Sequence, residues 1–353
     1  MKEYYSDSAV TIYHGSALEV LRQLPPGMAH TCITSPPYWG LRDYGVEGQL
    51  GLEKTPEEYV GKLADIFDEV KRLLREDGTL WLNLGDSYAG SGKGDNPNGK
   101  QGTSEGTRFN SPTSGAVPLG LKPKDLVGIP WMVAFELRRR GWYLRSDIIW
   151  AKPNPMPESV TDRPTKSHEY IFLLAKNRDY YYDAEAIKER AIYSAEEQAA
   201  RLKLQKDGMK SCPNGIKGGI RPRNSDLRKG GSIIPGKGEA HKSGTRTGAN
   251  LSGAYKGADW NVAGRNKRSV WTVTTKPYRE AHFATFPPDL ITPCVLAGAP
   301  AGGIVLDPFM GSGTTAWVAK EHGRKAWGIE LNAKYIDMAA RRVKQEVLDF
   351  GGQ

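Results

Sequence analysis

Two short stretches of this chain carry residue types and spacings that can do chemistry, and they lie far apart in it. The first is Thr34-Ser35-Pro36-Pro37-Tyr38-Trp39-Gly40. Consecutive prolines fix φ and remove two amide donors, so this loop is stiff and offers carbonyl oxygens with no N–H between them. Ser35 Oγ and the Pro36 carbonyl can then both accept hydrogen bonds from one amino group, and Tyr38 supplies a flat surface for a ring. Taken alone, the same residues also read as an ordinary turn. The second stretch is Asp307-Pro308-Phe309-Met310-Gly311-Ser312-Gly313-Thr314-Thr315-Ala316. Gly311, Gly313 and Ala316 match G-x-G-x-x-A, a spacing that lets backbone amides approach a ligand between a strand and a helix. Glu330 stands about 20 residues beyond Gly311, where a carboxylate can accept both hydroxyls of a ribose. The glycines can instead serve only the packing of a tight turn. No Gly-Lys-Ser/Thr follows, so this is not a triphosphate-binding Walker loop.

Both stretches need strands and helices to hold them. Residues 10–13 and 31–34 are short β-type runs, and the second ends at Ser35. Residues 59–74 place Leu63, Ile66, Phe67 and Val70 at helical spacing, stop at Asp77-Gly78 and lead into a buried strand at 79–84. A helix over 128–140 and strands at 148–150 and 170–174 follow. Residues 303–307 form a strand that runs into the glycine loop, then a helix to about 321, a strand at 326–330 and a last helix carrying Tyr335, Ile336, Ala339 and Val343. Helices alternating with apolar strands predict an α/β sheet. A nucleotide-binding βαβ unit usually opens its domain. Here it comes late, so strands from the N-terminal half must complete the sheet, and the two halves stand in swapped order.

Composition sets the outer bounds. With 353 residues, the chain has the length of about two domains or of one large domain with an insertion, and its 39% hydrophobic content supports a sizeable core. No apolar run approaches the ~18 residues of a membrane span, and the N-terminus lacks the apolar stretch of a signal peptide. The three cysteines are far apart and the six histidines show no zinc-type spacing. These features predict a cytoplasmic protein without metal or membrane attachment. The net charge of +9 is not spread evenly. Residues 184–268 hold 18 Lys and Arg against 8 Asp and Glu, a local +10, together with 13 of the 41 glycines. Only 184–206 reads as helical there, and the rest reads as loop. The stretch is either a solvated insert or an arm that neutralises nucleic-acid phosphates. Residues 89–120, rich in Gly, Ser and Asn, form a second expected loop.

Together these pieces resemble the β-class amino-DNA methyltransferases, which transfer methyl groups from S-adenosylmethionine to cytosine N4 or adenine N6. Ser-Pro-Pro-Tyr early, a basic middle and Asp-Pro-Phe-Met-Gly-Ser-Gly-Thr-Thr late carry the resemblance. So do Trp150 to Ser159 with His168-Glu169-Tyr170-Ile171, and Val270-Trp271 with His282 to Pro287. The resemblance implies a Rossmann-like α/β methyltransferase fold with permuted motif order and an irregular basic insert. Residues 1–183 would form the catalytic half, 184–268 the target-recognition insert and 269–353 the cofactor half. It implies a catalytic loop of Ser35, Pro36, Pro37 and Tyr38. It also implies a cofactor site of Asp307, Phe309, Gly311, Gly313, Thr314 and Glu330, with Phe283 and Ala284 lining it. The implied partners are double-stranded DNA and a companion restriction endonuclease. Ser-Pro-Pro-Tyr is more often associated with cytosine N4, so a flipped-out cytosine is the expected target and adenine the alternative. One residue departs from the family: Gly15-Ser16 stands where Gly-Asp is common, which puts an adenine contact in doubt, and Asp7 is no obvious substitute. No cysteine nucleophile is called for, and Cys32 reads as core. Two rival readings remain, a nicotinamide dehydrogenase and a non-enzymatic DNA-binding protein. The first leaves Ser35–Tyr38 unexplained, and the second explains neither loop.

Overall fold

Leu80, Leu82 and Leu84 pack on one face of their strand and Trp81 on the other, and all four are buried. A strand with no solvent face belongs in the middle of a sheet covered by helices on both sides. The computed structural model has that architecture. It describes residues 2–41, 45–90, 117, 120–189, 264–275 and 286–344. The chain divides into two compact units, Met1–Ile187 with Asn266–Gln353, and Lys188–Arg265. In the second unit, Glu189 and Arg265 pair through two backbone hydrogen bonds of 2.9 Å and an ion pair. The helical reading of 190–206, most of the 89–120 loop, Phe283 and Ala284 lie outside the described residues.

In the first unit, chain order runs β1 (Lys2–Ser6), β2 (Val10–His14), α1 (Ala17–Gln23), β3 (Ala29–Thr34), α2 (Pro56–Leu73), β4 (Leu74–Leu84), α3 (Ile129–Arg139), β5 (Tyr143–Ala151) and β6 (His168–Ala175). A 3₁₀ turn (Glu185–Ile187), β7 (Val270–Thr272), α4 (Pro288–Gly298), β8 (Ile304–Asp307), α5 (Thr314–Glu321), β9 (Lys325–Glu330) and α6 (Ala333–Lys344) follow. The strands form one sheet in the order β1-β2-β9-β8-β3-β4-β6-β5-β7. From β2 to β4 neighbours are parallel, whereas β6 runs antiparallel to both β4 and β5. Helices α1, α2 and α3 bury Leu21, Phe67 and Leu137 on one face. Helices α4, α5 and α6 bury Cys294, Val318 and Val343 on the other. No helix among the described residues is long and apolar enough to cross a membrane.

Helix α2 shows how local chemistry sets the boundaries. Thr55 caps it by accepting from Glu58 N at 3.2 Å, and Pro56 occupies the first turn, where no amide donor is needed. The helix ends at Leu73, not at Asp77-Gly78, and β4 begins at once. Pairing with β3 then jumps from Ala29↔Leu74 to Thr31↔Thr79, so residues 75–78 form an irregular stretch within the strand. Gly78 fits this because a Cβ there would lie 2.8 Å from Leu74 Cβ.

The connection β8–α5–β9 moves one way across the sheet and β3–α2–β4 moves the other way. Between β8 and β3 the winding reverses. Ligands of open α/β sheets bind in the crevice at the carboxyl ends of such strands.

Candidate active site

At that crevice, three elements are tied together through one buried carboxylate. Thr34 Oγ1, at the end of β3, donates to Asp307 Oδ1 at 2.6 Å. Thr315 Oγ1, on α5, donates to Asp307 Oδ2 at 2.6 Å, and Phe309 N donates to Oδ1 at 3.0 Å. Burial pushes the Asp307 carboxyl up to about 6. Asp307 therefore braces β3, β8 and the glycine loop against one another, and it does not line the cavity they enclose. Gly313 does not line it either. Its φ of +81° and the 3.0 Å at which a Cβ would meet Ala339 Cβ show that it serves the turn and the close approach of α6.

The cavity measures about 1060 Å³. Ser35, Pro36, Pro37, Tyr38, Phe309, Gly311, Thr314 and Glu330, all singled out from the sequence, line this single cavity. Glu330 Oε2 accepts from Gly311 N at 2.8 Å and Oε1 from Asn332 N at 2.7 Å. Burial outweighs these bonds and pushes the carboxyl up to about 7. Each oxygen keeps a further lone pair for a ligand hydroxyl. Ser16, the N-cap of α1, also lines this end, and its side chain makes no capping bond. Asp7 is held elsewhere by Lys320 and by the amides of Ala9 and Val10. The Lys320 ammonium and these amides outweigh burial and lower its carboxyl to about 2.

The other end of the cavity is built around the proline loop. Tyr59 Oη donates to the Pro37 carbonyl at 2.8 Å, which fixes the loop to α2. The Tyr38 ring lies against Gly85, where a Cβ would come within 2.6 Å of Tyr38 Cε2. Substituting Gly85→Ala should displace this ring and lower the activity of the site by up to about 100-fold, the loss that a displacement of about 1 Å can cause. The check is a steady-state rate beside a thermal melt, since a lost fold would lower both. Tyr38 Oη donates to Glu169 Oε2 at 2.8 Å, with Asn83 Oδ1 at 3.2 Å, and Ser35 Oγ lies 3.4 Å from Tyr38 Oη. Lys152 Nζ pairs with Glu169 Oε1 and stands 4.2 Å from the centre of the Trp150 ring. Asn83, Lys152 and Glu169 all line the cavity and were not among the candidates from sequence. Asn83 did carry a signal, as the one polar side chain in the run Leu80 to Leu84. Cys32 and Cys294 are buried, which raises both thiols and disfavours the reactive thiolate.

Comparison with known proteins decides what this geometry belongs to. A family model described as DNA methylase matches residues 29–341, spanning both loops and everything between them. The chain belongs to this family. It is 42% identical to the type II methyltransferase M.Cfr9I of Citrobacter freundii, over 96% of this chain and 89% of that protein. It is 41% identical to the type II methyltransferase M.SmaI of Serratia marcescens, over 93% of this chain and 89% of that protein. Among solved structures it matches PvuII DNA methyltransferase (cytosine-N4-specific) with a TM-score of 0.57 at 17% identity, over 100% of this chain and 91% of that one. The fold is therefore the Rossmann-like methyltransferase fold, its halves swapped along the chain. As a DNA methylase the protein is an enzyme that transfers methyl groups to DNA, with S-adenosylmethionine as donor. The dehydrogenase and non-enzymatic readings fall.

Proposed function

We propose that this methyltransferase acts on the exocyclic N4 of a cytosine turned out of double-stranded DNA. The observation that carries this reading is that the Ser35–Tyr38 loop and the Gly311–Glu330 wall face one cavity. Such a cavity can take a nucleoside cofactor and a base together. Ser at position 35 favours cytosine over adenine through the family resemblance.

The cofactor-side residues suit S-adenosylmethionine. When bound, it supplies an electrophilic methyl group on a sulfonium centre. Glu330, held by the Gly311 amide, would accept the ribose hydroxyls, the backbone at Gly311 would lie beside the cofactor, and Phe309 would flank the sulfonium. Thr314 would serve its polar end, and Phe283 and Ala284, outside the described residues, are assigned to the cofactor by the family resemblance alone. The Ser35 oxygen and the Pro36 carbonyl accept the two amino hydrogens of the base. This draws the nitrogen toward sp³ and aims its lone pair, while Tyr38 stacks on the ring. Positioning of this kind can supply several kcal/mol of the barrier reduction. Nucleoside mass spectrometry of methylated DNA tests the target. N4-methylcytosine is expected, and N6-methyladenine would overturn the assignment.

Residues 184–268 supply target recognition in this reading, with Lys and Arg contacting phosphates and guanine edges. Deleting part of this stretch should flatten the dependence of DNA affinity on salt, because fewer counterions are released on binding. A titration between 50 and 200 mM salt, the span over which about 10³-fold changes occur, reads this directly. The type II designation of the relatives supports a companion endonuclease that cuts the unmethylated site.

A further inference from the structure

Glu169, Lys152 and Asn83 face the catalytic loop but have no part in the scheme above. Their hydrogen bonds have a direction that bears on it. An ionised carboxylate only accepts and an ammonium only donates. Lys152 and Glu169 form a close pair whose side chains are only 17% and 16% exposed. Asn83 Nδ2 donates to Glu169 Oε2 at 3.3 Å and to the Tyr170 carbonyl at 3.0 Å. Tyr38 Oη has one proton to give. Of its two acceptors, the charged oxygen of Glu169 at 2.8 Å is both nearer and stronger than Asn83 Oδ1. With that proton committed, a Tyr38 lone pair is left for the Ser35 hydroxyl proton, 3.4 Å away. Ser35 then presents lone pairs to the cavity.

We propose that Glu169 and Lys152 are positioning residues for methyl transfer. They set the direction of the Ser35–Tyr38–Glu169 chain so that Ser35 meets the target amino group as an acceptor. The inference rests on the proposed role of Ser35. It explains why a serine, which can donate as well as accept, acts in one sense only. Burial and the neighbouring carboxylate raise the Tyr38 hydroxyl well above its ordinary value, so it keeps its proton and remains the link. A glutamine at position 169 can instead turn an N–H toward Tyr38 Oη. Tyr38 then has Asn83 Oδ1 at 3.2 Å and Ser35 Oγ at 3.4 Å as its acceptors, and its proton no longer holds Ser35 to the accepting sense.

The test is a double-mutant cycle on single-turnover methylation, with S-adenosylmethionine affinity measured on each variant. Glu169→Gln should slow transfer by about 100-fold and leave cofactor affinity within about twofold. Tyr38→Phe keeps the ring but cuts the chain, and should cost about tenfold. In the Tyr38→Phe background, Glu169→Gln should then cost less than about threefold, because the link it acts through is gone. Should Glu169→Gln fail to fold, Lys152→Met serves in the same cycle: it should slow transfer by about 100-fold alone and by less than about threefold in the Tyr38→Phe background, with cofactor affinity unchanged. Additive losses in the cycle, or a Glu169→Gln enzyme of normal rate, overturn the proposal. Where the cycle overturns it and Ser35→Ala is still slow in the same assay, the inference alone fails and the catalytic reading stands. If Ser35→Ala is fully active, the catalytic reading falls with it.

Discussion

Replacing Ser35 by alanine is expected to slow single-turnover methylation by about 100- to 1,000-fold, the range seen when one preorganised hydrogen-bonding group is removed from a reacting centre. The amino nitrogen of a base shares its lone pair with the ring. It becomes a nucleophile only while its hydrogens are held by fixed acceptors on one side. Ser35 is half-buried at the end of β3 and 3.4 Å from Tyr38 Oη, and a water entering the vacated space would lack its covalent anchor to the loop. The Pro36 carbonyl remains in the variant and accounts for the residual rate. S-adenosylmethionine should bind as before, because Glu330 and the glycine loop are untouched. A rate near wild type would remove Ser35 from the reaction.

Replacing Glu330 by alanine should act on the other half of the site. The cofactor ribose would lose two charge-assisted hydrogen bonds, and S-adenosylmethionine should bind on the order of 100-fold more weakly. The rate at saturating cofactor should change little, since the reacting nitrogen is held elsewhere. Calorimetric titration separates the two effects, and unchanged affinity would refute the ribose role. A pH dependence follows from the same carboxylate. Its folded value lies raised at about 7, with Asp307 adding to the burial effect, and the ionised form is the better acceptor. Affinity should therefore rise as pH increases through about 7 and should lose that slope in Glu330→Gln.

The parts of the fold legible in the sequence are those whose signal is local. Strand β8, the glycine loop, α5, β9 and α6 follow one another without interruption, each marked by an apolar run or a glycine. Other elements carry little local signal. Strand β1 is an edge strand whose Lys2, Glu3 and Tyr4 are exposed, so no buried face marks it. Helix α4 contains Pro288 and Pro293, and proline argues against a helix interior until tertiary packing overrides it. The site divides in the same way. The two loops are contiguous motifs and can be read directly. Lys152 and Glu169 become neighbours only because β5 and β6 pair antiparallel, with Ala151 opposite His168. Asp307 shows the converse: its place in a motif suggested contact with the cofactor, whereas its oxygens are engaged by Thr34, Thr315 and Phe309. Which partner a buried carboxylate finds depends on strands that meet in space.

The pairing of β3 with β8 joins Thr34 to Asp307 across 273 positions of chain. At a synthesis rate of about 5–20 residues per second, the ribosome needs on the order of 15–50 s to pass from one to the other. During that interval the flank of β3 that β8 later covers has no partner, and the proline loop has no second wall. A nascent chain therefore carries the proline loop without the means to use it, and closing so long a contact is a slow step of folding. Cleavage between the two strands would leave neither fragment with a complete site.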